Sequence, residues 1–174
     1  MVADLTQEDK KYLDLCIEKA EETFRRFDNY PVGATLIIEG ELIGVSGNSI
    51  KANKSFVHHA ENQLIIENAN KLYEAFEKNL KIVLYSSLEL CLQCLGASVT
   101  NHIGKIVYIQ KDPNGGACNL KHDSIGDFYR NKWPDILYAP ISDKPLKLMI
   151  EFFNSEIEKG NTKWPSKMLS LLEK

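Results

Sequence analysis

Residues 81–97 read KIVLYSSLELCLQCLGA. An unbroken apolar run, Ile82 to Tyr85, gives way to two serines and then to a Cys-x-x-Cys, Cys91 and Cys94. A run of that kind predicts a short strand covered on both faces. The segment from Cys91 towards Ile103-Gly104 predicts a helix, so the two thiols belong to its first turn. At a spacing of three they project from one side of that turn. The unpaired N–H groups and positive end of a helix start favour thiolates. Such a pair is half of a tetrahedral zinc site.

Working outward, strands and helices alternate. Thr6 with Asp9 predicts a capping box opening a helix that runs to about Phe27, with Leu13, Cys16, Ile17, Ala20 and Phe24 on its apolar face. Two β-rich runs flank Glu39-Gly40-Glu41, which predicts a hairpin. After a polar loop, ANKS, a second helix is predicted from about His59 to Glu77. KIVYIQ (105–110) and DILYAP (135–140) predict further strands, separated by enough chain for a parallel crossover, with a short helix within DSIGDFYRN. The tail from Lys144 predicts two helices divided at Gly160. The expectation is an α/β fold, a three-layer α/β/α sandwich on a five-stranded mixed sheet. Residues 1–174 form one domain, with a helical extension from about residue 144.

Composition narrows the class. The 174 residues are 44% hydrophobic and 26% charged, which is ordinary globular usage. A formal net charge of −3 provides no bulk basic field for nucleic acid. The start, MVADLTQEDKKYLDL, lacks the apolar run of a signal peptide, and no stretch is long enough to span a bilayer. The expectation is a cytoplasmic protein with no membrane partner. There, four cysteines (16, 91, 94 and 118) are thiols or metal ligands rather than disulfides.

The partner of the thiols lies upstream, in FVHHAENQLI (56–65). His59-Ala60-Glu61 opens the second helix, where the backbone is not yet regular and both side chains can face one pocket. His58 is an alternative ligand. If the two helix starts meet, one imidazole and two thiols supply three ligands, leaving the fourth tetrahedral position for water, as in catalytic zinc sites. Glu61 is then a carboxylate beside that water. A structural zinc protein is the contrasting reading. It needs a fourth protein ligand, for which Cys118, His58 and His122 are candidates.

These residues carry a resemblance. YPVGATLI (30–37), GNS (47–49), HAEN (59–62), SLELCLQCLGA (87–97) and NHIGKIVY (101–108) resemble the cytidine/deoxycytidylate deaminase superfamily, nearest to its tRNA adenosine deaminase and guanine deaminase branch. The likeness runs from the first helix to about Gln110; GGACN (115–119) and Phe152-Phe153 extend it weakly. It implies Zn2+ held by His59, Cys91 and Cys94. It implies that Glu61 takes a proton from water and returns it to the ring nitrogen and the leaving ammonia. Asn48 is the candidate for hydrogen bonding the base or sugar, and Val32, Ala60 and Leu90 are candidate substrate contacts. Pro31 and Gly33 are candidate walls, and Phe56, Phe128, Tyr129 and Trp133 candidate stacking rings. The family's proline before the first cysteine is here Leu90. The implied activity is hydrolytic removal of an exocyclic amino group from a nucleobase, nucleoside or nucleotide, purines favoured, by a homodimer. The alternative is adenosine-to-inosine conversion in tRNA. Against tRNA, EFFNSEIEKG (151–160) is poor in cations, and Lys163, Lys167 and Lys174 are scattered.

Overall fold

The computed structural model describes residues 5–173. Helix α1 (Gln7–Phe27) opens with the expected capping box: Thr6 Oγ1 accepts the Asp9 N–H, and the Asp9 carboxylate accepts the Thr6 N–H, each at 3.0 Å. The chain then enters strands β1 (Gly33–Ile38) and β2 (Glu41–Gly47). Between them Glu39 and Gly40 both take positive φ, 50° and 82°, as a two-residue type I′ hairpin loop requires. Helices α2 (Ile50–Asn53), α3 (Ala60–Glu67) and α4 (Ala69–Glu77) precede β3 (Ile82–Leu88). Helix α5 (Leu92–Thr100) crosses to β4 (Lys105–Gln110), and α6 (Asp127–Arg130) leads to β5 (Asp135–Tyr138). Helices α7 (Lys144–Glu158) and α8 (Lys163–Leu172) follow.

The sheet order is β2-β1-β3-β4-β5. β1 pairs antiparallel with both neighbours, while β3–β4 and β4–β5 are parallel, giving the expected five-stranded mixed sheet. Alternation along β3 assigns its faces. Ile82, Leu84 and Leu88 join the cluster built with α3, α4, α5 and α7; Val83 and Tyr85 join the one built with α1. Helix α1 lies so close on β1 that a Cβ at Gly33 would stand 2.2 Å from the Cys16 carbonyl oxygen.

Two expectations need correction. The single helix from His59 to Glu77 is two, divided at Asn68 (φ −115°, ψ 21°). The Asn68 side-chain amide donates to the Leu64 carbonyl at 2.9 Å, which also accepts the Asn68 backbone N–H at 3.1 Å. The ANKS stretch is not all loop, because its Ala52 and Asn53 end α2. Asn53 folds back onto Ser49 Oγ at 2.7 Å and steadies that turn. No helix among the described residues is long and apolar enough to cross a membrane.

Candidate metal and proton-transfer site

The site sits where α3 and α5 begin. His59 caps α3 with an extended backbone (φ −71°, ψ 154°), and Cys91 caps α5 in the same way (φ −74°, ψ 168°). The expected irregular helix start is therefore present at both places. The ligand atoms of His59, Cys91 and Cys94 all lie within 4.8 Å of one another. The Cys91 sulfur is 3.5 Å from His59 Nδ1. A tetrahedral ion with Zn–S of about 2.3 Å and Zn–N of about 2.0–2.1 Å spaces sulfur and nitrogen about 3.5 Å apart. Soft sulfur with imidazole is also the donor set zinc prefers, so these residues fit that ion.

Electrostatics agree with the geometry. A hydrogen bond from the Cys94 thiol, followed by one from His59, outweighs the desolvation of Cys91 and lowers its thiol to about 4. Cys94 moves upward, chiefly because it supplies that proton and because it is buried. A cation held by these two sulfurs would displace the proton they share. His59 shifts upward through its contact with the Cys91 sulfur.

Glu61 is buried beside this group. Its Oε1 accepts a 2.8 Å hydrogen bond from Ser86 Oγ on β3, and its Oε2 lies 3.4 Å from the Cys94 sulfur. Burial dominates its titration and pushes the carboxyl upward, the direction a proton carrier needs.

The other candidates divide. Asn48 is buried just after β2; its Oδ1 caps the Ile50 N–H at 3.2 Å, while its amide nitrogen has no protein partner among the described residues. Asn48 and Val32 line a cavity of about 500 Å³ that also reaches His59, Glu61 and Cys91, and Phe56 lines its mouth. Ala60 and Leu90 are fully buried in the core and do not line this cavity; neither do Pro31, Gly33, Phe128, Tyr129 or Trp133. Leu90 instead accepts the Ala117 N–H at 2.9 Å and ties the loop after β4 to the start of α5.

Among the described residues no fourth histidine, cysteine or carboxylate joins the cluster. His122 stacks on Trp133 with centroids 4.9 Å apart, and burial pushes the Cys118 thiol up to about 12. The closing ligand of a structural site is therefore not found.

Some of the cavity wall was not legible in the sequence. Tyr30, the first residue of YPVGATLI, also lines it, as do Asp112 and, from the C-terminal helices and their connection, Phe152, Glu156, Asn161, Trp164 and Met168. The last six lie after β4 and in the C-terminal helical region and carry no local motif. The one available hint was the apolar pair Phe152-Phe153.

A family model described as the cytidine and deoxycytidylate deaminase zinc-binding region matches residues 6–110. A tRNA-specific adenosine deaminase of Bacillus subtilis is 32% identical over 146 residues, spanning 84% of this chain and 89% of its own. A structure solved in work on A-to-I editing by tRNA:A34 deaminases superposes with a TM-score of 0.61 at 27% identity, covering 76% of this chain and 99% of that one. A guanine deaminase from Nitrosomonas europaea has a TM-score of 0.56 over 86% of this chain and 85% of its own; at 16% identity that likeness is one of fold.

Proposed function

The chain belongs to the cytidine and deoxycytidylate deaminase family, zinc-dependent hydrolases that remove an exocyclic amino group, and from that premise we propose that His59, Cys91 and Cys94 hold the zinc and that Glu61 moves the protons. The observation that carries this reading is the meeting of three soft ligands with a buried carboxylate at the end of a small-molecule-sized cavity. Zinc bound there supplies a Lewis acid that brings the pKa of water towards about 7.

The protein residues do the rest. Ser86 anchors Oε1 of Glu61, leaving Oε2 as the oxygen that takes one proton from water and delivers it to the ring nitrogen, then takes the second, from the added hydroxyl, and delivers it to the departing amine. Asn48 donates its free amide to a ring nitrogen or carbonyl and orients the base. Tyr30 and Val32 flank the ring and exclude water. The substrate is an aminated purine or related ring, and the protein works as a homodimer of single-domain chains whose helical extension begins near residue 144.

A second reading, adenosine-to-inosine conversion in tRNA, is favoured by the Bacillus relative and the tRNA deaminase structure. The test is ammonia release by zinc-replete protein from bases, nucleosides, nucleotides and tRNA. Stoichiometric zinc with no ammonia from any of them overturns the catalytic assignment.

A further inference from the structure

The cavity wall opposite the metal end is made by α7, α8 and their connection, and its chemistry bears on what can enter. Four carboxylates line the cavity, Glu61, Glu89, Asp112 and Glu156, against a single lysine, Lys51. That lysine is already committed. Its Nζ is 2.9 Å from Glu156 Oε1 and 3.4 Å from Asp28 Oδ2. Glu156 is itself buried and is held further by Lys159 at 3.2 Å and by the Asn161 amide at 3.2 Å. Its position is fixed, and among the described residues no uncommitted lysine or arginine lines the cavity for an incoming anion.

The roof over this acidic wall is aromatic. Tyr30 packs on Phe152 and on Trp164, with centroids 5.4 and 5.9 Å apart, and Phe153 packs edge-on against Trp164 at 5.1 Å. Rings of this kind accept the face of a heterocycle. Among the described residues no uncommitted lysine or arginine lines the cavity to meet a phosphate, and a polyanion there lacks the cation contacts on which RNA binding depends.

Resting on the deaminase reading above, we propose that the substrate is a phosphate-free small molecule, an aminated heterocyclic base or its nucleoside, and that the Glu156–Lys51 pair, with Asp112 and the α7–α8 roof, excludes nucleotides and RNA. Glu156 is a specificity residue in this assignment. Its carboxylate keeps Lys51 and Lys159 engaged, so that neither ammonium is offered to a phosphate at a substrate's distal end.

The experiment compares kcat/KM for ammonia release by the full zinc-loaded chain. The substrates are purine and pyrimidine bases, their nucleosides, the matching 5′-monophosphates and an RNA stem-loop carrying adenosine in its loop. The best base or nucleoside should exceed its monophosphate by ~10-fold or more, as expected where a phosphate enters a cavity whose lining lysine is already paired with Glu156. The RNA should not turn over at any salt concentration. Glu156→Gln, which keeps the side chain's size, should shrink the base-to-monophosphate ratio through KM. A monophosphate or RNA used as well as the base or nucleoside overturns the proposal and leaves the deaminase reading standing. Ammonia from no member of the panel instead removes the deaminase reading, and this inference with it. A ratio unmoved in a folded Glu156→Gln protein refutes the role of Glu156.

Discussion

Ser86 Oγ donates to Glu61 Oε1 at 2.8 Å, and both residues are buried. The bond joins a central strand to the first turn of α3. It exists because Ser86 falls on the same face of β3 as Ile82, Leu84 and Leu88, the face that α3 and α5 cover. Its partners in the sheet, Ala34 and Tyr108, hold it from both sides. The serine therefore decides which carboxylate oxygen is fixed and which can move.

Ser86→Ala removes that anchor and leaves all three zinc ligands in place. A hydrogen bond to a charged group is worth roughly 1.5–3 kcal/mol, so kcat should fall by ~10- to 100-fold. Zinc content, measured by elemental analysis, should stay at that of the parent. Loss of zinc together with kcat would assign Ser86 to metal retention instead.

The cysteines should separate sharply. Cys91→Ala takes away the sulfur 3.5 Å from His59, so zinc and activity should both be lost and Tm should drop. Cys118→Ala, at a thiol outside the ligand cluster, should keep bound zinc and measurable ammonia release. Chelation of the parent should abolish activity, and readdition of zinc should restore it. A Cys118→Ala protein without zinc would mean a four-ligand structural site.

Two glycines make opposite predictions. A Cβ at Gly116 would stand 2.5 Å from Glu89 Cδ and 2.6 Å from the Asp112 carbonyl oxygen. Glu89 organises that loop by accepting the N–H groups of Asp112 and Cys118. Gly116→Ala should therefore destabilise by ~1–3 kcal/mol and raise KM, since Asp112 lines the cavity. Gly96, within α5, has nothing within 4 Å of a built Cβ. Gly96→Ala should raise stability by up to ~1 kcal/mol in chemical denaturation.

Local chemistry made much of this legible. The capping box and the hairpin loop each announce themselves within a few residues and are present in the structure, which also brings His59 to the two cysteines from 32 residues upstream. The break at Asn68 was hidden because the apolar spacing continues across it; α3 ends at the turned backbone of Asn68, not at a change of pattern. Leu90 and Ala60 illustrate a different limit of local reading: adjacency to a ligand in sequence does not say how exposed a neighbour is, and both are buried. The Glu156–Lys51 pair joins residues 105 apart, a contact that only the packing of α7 can create.

Asp9 is a further buried carboxylate with a measurable consequence. Burial pushes its carboxyl up, but hydrogen bonds from Tyr85, at 2.6 Å, and from Thr6, with the Lys105 charge 3.4 Å away, more than offset it and bring it down to about 2. Its folded pKa lies below the ordinary value of 3.8, so its contribution is fully present above that value and is lost as pH falls through about 2. The shift corresponds to about 2 kcal/mol at neutral pH. Asp9→Asn keeps the shape but removes the charge that Tyr85 and Lys105 address. Its stability deficit, from urea unfolding at a series of pH values, should be constant from pH 7 to about 5 and shrink as pH falls from about 4 towards 2. A deficit independent of pH would show that Asp9 acts through packing and the α1 cap alone.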